Sequence, residues 1–266
     1  MKNKLALRLT ESAMMIALST ILSMIKLADL PYGGSITIAS MLPVLIIAQR
    51  YGMVWGFFTG CVHGAIQLLL GTSTLSYVTG WQSVLAVVVL DYVLAFAAVG
   101  LGAISRKVKN PAAAATLGAL IVGISRYTCH VVAGATVWAG LSIPTTAALS
   151  YSLVYNATYM IPETIVLCVA AFFIGSSVDF RGEKLSRVKR ERKKLSVARL
   201  LSVLSLSAAL VFDTVSIFAC LQNAETGEFD VTGIASVNFT LVAIVTAACV
   251  VLSVILAVMG KRKKHE

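Results

Sequence analysis

AAAATLGALIVGISRYTCHVVAGATVWAG, residues 112–140, decides what kind of protein this is. The run exceeds the ~20 apolar residues that cross a bilayer, yet it carries Arg126 and His130. An ionisable side chain inside a span is costly to place there and marks a functional site by default. Arg126, His130, Gly134 and Trp138 recur every four residues, so on a helix they form one stripe. A short break at 141–146 is followed by YSLVYNATYMIPE (151–163), where Tyr151, Tyr155, Asn156 and Tyr159 continue the polar and aromatic character. Together the two segments read as walls of a pocket inside a membrane protein.

The whole chain agrees with that reading. Its 266 residues are 58% hydrophobic and 13% charged, with a mean hydropathy of +0.87. Soluble domains are nearer 45–50% apolar and about 25% charged. The N-terminal stretch MKNKLALRLTESAMM runs into a full-length apolar segment with no fitting small-residue cleavage site, so the first span is expected to be retained. A net charge of +10 raises nucleic acid as a partner, but its distribution argues against that. Twenty of the 22 Lys and Arg lie at 2–8, 50, 106–109, 181–199 and 261–264; only Lys26 and Arg126 fall elsewhere. That is the positive-inside pattern, with the lipid bilayer and its anionic headgroups as the counter-charge. The five cysteines are an odd number in apolar segments without a CxxC pair, so neither a disulfide nor a metal framework is expected.

Eight apolar runs can be placed: 11–28, 36–49, 51–71, 83–104, 112–140, 149–176, 199–221 and 233–259. The second is short and holds Pro43, which breaks or tilts it. Basic clusters fall on alternate connections, and 29–35, 72–82, 141–148 and 222–232 contain no Lys or Arg. Both termini are then cytoplasmic, in a multi-pass protein of the cell membrane. All five prolines and all three tryptophans precede residue 178. The expected fold is therefore all-α and polytopic, with a six-helix core (1–178), a basic cytoplasmic linker (179–198) and a two-span C-terminal appendage (199–266).

Asp91 lies about nine residues inside the fourth run, ~13 Å deep at ~1.5 Å per residue. His130 lies at a similar depth below Trp138, and Asn156 several residues inside the sixth run, so three helices offer polar groups at one level. An intramembrane ion pair is the plain alternative. It is the better account of Glu163 with Arg126, both nearer the middle of the bilayer. Asp91 reads instead as a ligand group, because a carboxylate beside aromatic rings suits a desolvated organic cation through charge and cation–π attraction. Tyr77, Trp81, Trp138, Tyr151 and Tyr155 collect at the outer side. They form either an interfacial belt or a pocket, and the poorer inner side favours a pocket. Gly56, Gly60 and Gly64 are spaced for close helix packing, and His63 beside them reads as a structural or satisfied histidine. Ala13 and Ala17 form an A-x-x-x-A pair that is weak alone. The chain contains no G-x-x-x-x-G-K-[ST], H-E-x-x-H or G-x-S-x-G, so nothing supports an enzyme, a catalytic residue, a bound metal or a cofactor.

LPYGGSITIASMLPVLI (30–46), LDYVLAF (90–96), RYTCHVVAGATVW (126–138) and YSLVYNATYMIPE (151–163) resemble the thiamine-specific substrate-binding subunit, or S-component, of the energy-coupling factor vitamin importers. The likeness covers roughly residues 10–180. It implies a six-helix membrane fold with thiamine held near the outer surface under the loop after span one. It also implies that His130 and Trp138 stack on the thiamine rings, that Tyr151 and Asn156 hydrogen-bond it, and that Tyr92 lines the site, with Tyr77 a further ligand tyrosine. The acidic contact, usually a glutamate in this family, is Asp91. The family's lid tryptophan is absent between Asp29 and Ser40, leaving Tyr32 or backbone. Ala13 and Ala17 resemble the surface that docks on a transmembrane coupling subunit, and two ATPase subunits would supply the energy. The alternatives are a binder of a thiamine precursor or other vitamin on the same fold, and a stand-alone ion-coupled carrier using Asp91, Arg126, His130 and Glu163 as a relay.

Overall fold

A computed structural model of the chain describes residues 2–30, 34–78, 80–138, 148–182, 185–188, 197–221 and 231–262. It divides into two compact units, Met1–Lys189 and Arg190–Glu266. Among the described residues six helices are long and apolar enough to span a membrane. The protein is an all-α polytopic membrane protein.

The first unit holds six helices: α1 Lys2–Met24, α2 Leu42–Tyr51, α3 Met53–Leu70, α4 Trp81–Lys107, α5 Pro111–Thr136 and α6 Ala148–Ser177. All but α2 have the length and hydropathy of a span. The run 36–49 is not one continuous helix. Ser35–Thr37 is strand β2, paired antiparallel with β1 (Lys26–Asp29), which also ends the first span earlier than its hydropathy suggests. Ala39 then turns the chain in the left-handed region (φ 51°), and Pro43 in the first turn of α2 starts a helix of only 10 residues. Ten residues rise ~15 Å, half of a ~30 Å hydrocarbon core. Gly52, at φ 98°, makes the corner into α3, a conformation that favours glycine.

Two local features position the site. α5 is entered through Asn110, whose side chain accepts the Ala113 N–H at 3.1 Å, with Pro111 in its first turn. α4 changes its winding, α-helical over Trp81–Val87, π-helical over Val88–Leu94 and 3₁₀ over Ala98–Lys107. π turns are rare and concentrate at functional sites, and this one contains Asp91 and Tyr92.

The core is built by α2, α4, α5 and α6, with Met41, Val44, Leu45, Ala95, Val99, Ala115, Ala119, Val122, Leu167 and Ala171 buried together. Lipid is as apolar as these side chains, so helix association depends on close packing and hydrogen bonds rather than on the hydrophobic effect. The glycine ridge of α3 shows this directly. A Cβ on Gly60 would strike the Phe96 carbonyl oxygen, and one on Gly64 the Tyr92 carbonyl oxygen. α3 therefore lies against the irregular part of α4 and holds it. At the far end from the cavity, Glu11 of α1 meets Arg50 Nε at 2.7 Å and accepts the Tyr51 hydroxyl at 2.6 Å.

The second unit contains α7 (Val197–Cys220), a 3₁₀ turn (Val231–Ser236) and α8 (Phe239–Arg262). Ser202 meets Ser253 at 2.8 Å, Ser205 donates to the Cys249 carbonyl at 2.9 Å, and Thr246 lies 2.8 Å from both Asp213 oxygens. The pairs run in opposite order along the chain, so the helices form an antiparallel hairpin stapled by hydroxyls. Asp213, the internal acid of α7, faces one of them.

Candidate functional site

A cavity of about 760 Å³ opens in the first unit, within the range of small-molecule sites. Its wall is contributed by the β1–β2 hairpin, the end of α3 with the turn after it, and α4, α5 and α6. All seven residues singled out as ligand contacts line it: Tyr77, Asp91, Tyr92, His130, Trp138, Tyr151 and Asn156. The turn after α3, α4, the end of α5 and α6 bring them together.

Asp91 is the centre of the arrangement. Its Oδ1 lies 2.8 Å from His130 Nδ1, and its Oδ2 accepts the Trp138 indole N–H at 3.1 Å. The carboxylate side chain is 16% exposed and the imidazole 12%, so the contacts are made largely out of water, where a charge-assisted hydrogen bond is strongest. Asp91 does not pair with Arg126. An acceptor at Nδ1 calls for an N–H on that nitrogen. Nε2 is buried and has no hydrogen-bond partner among the described residues.

The neighbouring amide is fixed just as firmly. Asn156 donates to the Ser152 carbonyl at 2.8 Å, while its Oδ1 accepts the Tyr159 hydroxyl at 2.6 Å. Ser152 donates in turn to the Val131 carbonyl of α5 at 2.9 Å. Tyr151, Tyr155 and Tyr159 sit four residues apart on α6, with successive ring centroids 6.5 and 5.8 Å apart. His130 meets Tyr159 edge-on at 6.1 Å. Tyr92 stacks on Phe96 at 6.5 Å. A flat cationic or heteroaromatic ligand would find ring faces, two fixed carboxylates (Asp91 and Glu163) and oriented amide and imidazole groups.

The helical stripe is shorter than its spacing implies. α5 ends at Thr136, and Trp138 follows in a bend, its backbone N–H bonded to the Ala133 carbonyl at 3.3 Å. The indole is 92% buried against Val78, Val87 and Ala133 and still lines the cavity. Trp81 is 72% exposed and does not line it, so it belongs to the surface aromatics. Tyr77 stands at the rim, 55% exposed. Tyr32 lies outside the described residues.

Arg126 and Glu163 do approach, at 4.0 Å, and the guanidinium also sits over the Phe96 ring at 5.0 Å. The closer partners of Glu163 come from strand β2: the Thr37 N–H at 2.6 Å and the Thr37 hydroxyl at 2.9 Å. No sequence signal marks this contact, because Thr37 and Glu163 are 126 residues apart. His63 is structural but not satisfied: it is fully buried, edge-on to Phe96 at 5.4 Å, and neither ring nitrogen has a partner among the described residues. No cluster suited to a metal ion occurs among the described residues. Ala13 and Ala17 lie on the exposed face of α1, while Ser12, Ile16 and Ser19 face inward.

Residues 9–179 match the family model described as thiamine transporter protein. The chain belongs to the thiamine transporter protein family. It is 33% identical over 180 residues to the thiamine transporter ThiT of Bacillus subtilis, covering 63% of this chain and 90% of that one. It is 28% identical over 145 residues to ThiT of Lacticaseibacillus paracasei, covering 48% and 67%. A solved structure of ThiT from Listeria monocytogenes superposes with a TM-score of 0.54 at 26% identity, covering 65% of this chain and 94% of that one. This thiamine transporter family is one of transport proteins and not of enzymes. Its match ends at 179, before the hairpin of α7 and α8.

Proposed function

We propose that this protein is the thiamine-binding membrane subunit of an ATP-driven energy-coupling factor importer. The observation that carries the reading is the Asp91 carboxylate, held at 2.8 Å by His130 and 3.1 Å by Trp138 at the wall of an aromatic cavity. Thiamine is a thiazolium cation joined to an aminopyrimidine. The carboxylate supplies the opposite charge, the indole and phenol rings supply faces for both heterocycles, and the Asn156 amide and the phenol of Tyr151 supply hydrogen bonds. Tyr92 lines one side and Tyr77 the rim. Family membership supports thiamine over a precursor or other vitamin, and supports a subunit over a stand-alone ion-coupled carrier. Calorimetry on the purified protein tests this. Thiamine should bind below micromolar and its hydroxymethylpyrimidine half more weakly; tighter binding of the half-molecule would move the assignment to the precursor.

The positive-inside pattern supports a cavity opening outward and both termini in the cytoplasm. The exposed Ala13 and Ala17 face then supports docking of α1 on a transmembrane coupling subunit, since small residues let backbones approach closely. The double replacement Ala13→Trp with Ala17→Trp should abolish thiamine uptake by cells while leaving the affinity of the purified protein within ~2-fold, because the pair lies on the outward face of α1. Uptake at the wild-type rate would remove this face from the docking model.

A further inference from the structure

The strand that closes one side of the cavity is poorly supported by its own pairing. β2 has three residues and β1 four, and the register shifts between Lys26 and Ala28. A two-stranded hairpin of this size is marginal on its own. Its fastening comes from α6. Glu163 uses both carboxylate oxygens on one residue, accepting the Thr37 N–H at 2.6 Å and the Thr37 hydroxyl at 2.9 Å. Glu163 is 5% exposed and Thr37 also 5%, so water competes little for these bonds and each has a charged acceptor. The grip extends further. Thr37 Oγ1 lies 2.8 Å from Ser40 Oγ, and the Ser40 carbonyl accepts the Ser19 hydroxyl of α1 at 2.6 Å. Arg126, 4.0 Å from Glu163 Oε1, supplies the counter-charge.

We infer that Glu163 is a positioning residue that clamps strand β2 as a wall of the ligand cavity, and that breaking the clamp shortens the time a ligand stays bound. The inference rests on the reading of this cavity as the ligand site. α6 carries Tyr151, Tyr155 and Asn156 on the cavity and the clamp about two to three turns further on. One helix therefore holds both the aromatic wall and the strand across from it. Glu163 acts through Thr37; Asp91 remains the acidic group for the ligand. β2 moves away from α6 only when two hydrogen bonds to the carboxylate give way, and on this inference that cost falls on dissociation more than on association.

The test uses the full chain in detergent, with thiamine dissociation followed by tryptophan fluorescence in a stopped-flow chase. Thr37→Val keeps the side-chain shape and removes the hydroxyl. It should raise the dissociation rate about tenfold, the scale of one hydrogen bond to a charged group, while association changes less than ~2-fold. Thr37→Ser restores the hydroxyl and should return the rate to near wild type, a rescue that a change in general stability would not give. Glu163→Gln should act in the same direction, and added to Thr37→Val it should give less than the product of the two effects. An unchanged dissociation rate in Thr37→Val, or equal slowing of association, overturns the inference. Amide hydrogen exchange over residues 35–40 reads the clamp without ligand. Faster exchange of the amide at position 37 in Thr37→Val and Glu163→Gln supports it, and unchanged exchange refutes it. Absence of thiamine binding by the wild type would count against the thiamine assignment, with exchange still deciding the clamp.

Discussion

Replacing Asp91 by Asn should weaken thiamine binding about 100-fold and leave the protein folded. The carboxylate accepts two N–H groups, from His130 at 2.8 Å and Trp138 at 3.1 Å. An asparagine offers one oxygen and one NH₂ in the same space. If its oxygen serves Trp138, its NH₂ points at His130 Nδ1, and the imidazole must move its proton to Nε2. That reverses the hydrogen bond to the ring and leaves an N–H on the buried Nε2, which has no partner among the described residues. The opposite charge for an organic cation is lost at the same time. Hydrogen bonds to charged groups contribute ~1.5–3 kcal/mol each, and ~2.7 kcal/mol is a factor of about 100 in Kd. Calorimetry gives the affinity and thermal unfolding the stability. A large fall in folded yield with the affinity of the remaining protein unchanged would sink the ligand role and make Asp91 a packing group between α4 and α5.

Trp138→Ala is expected to be nearly as severe. The indole is 8% exposed and rests on Val78, Val87 and Ala133, so its ring is held in place before any ligand arrives. Stacking on an aromatic ligand contributes ~0.5–1.5 kcal/mol, and a cation over a dry indole face adds ~2 kcal/mol. Their sum predicts a loss of roughly 50- to 300-fold. Trp138→Phe separates the two jobs of the side chain. It keeps a ring face but removes the N–H that satisfies Asp91 Oδ2, so an intermediate loss of about tenfold is expected. Because Trp138 and Asp91 touch, the Asp91→Asn and Trp138→Ala double variant should lose less than the sum of the single losses. Full additivity would mean that the indole N–H contact does not matter to binding. Titrations by calorimetry on the four proteins decide between these outcomes.

Much of the lining of the candidate site is legible in the sequence. Asp91, His130, Trp138 and Asn156 stand out because each is polar or aromatic in a run that lipid would otherwise select to be aliphatic. The four-residue recurrence of Arg126, His130 and Gly134 survives because α5 is regular there. Trp138 broke the pattern, since two residues past the helix end periodicity no longer assigns a direction. The second apolar run, expected to be broken or tilted at Pro43, is a strand, a turn and a buried ten-residue helix, which hydropathy cannot distinguish from a membrane helix. Pro43 was visible, but the left-handed turn at Ala39 was not. His63 is expected to be structural or satisfied, and that its nitrogens have no partner among the described residues is not foreseeable, since satisfaction depends on neighbours from other helices.

By itself the sequence determined the membrane class, the order of the long helices and the residue types at the pocket level. These are local properties: hydropathy summed over a span, charge counted in a loop, and polar residues where lipid disfavours them. Only the tertiary structure decided who meets whom. It paired Asp91 with His130 and Trp138 rather than with Arg126, loosened the turn of α4 that carries Asp91, and set Glu163 on Thr37 across 126 residues of chain. A buried carboxylate takes whichever donors the packed helices bring within 3 Å or so, and that choice is made by packing, glycine contacts and backbone winding that no local pattern encodes.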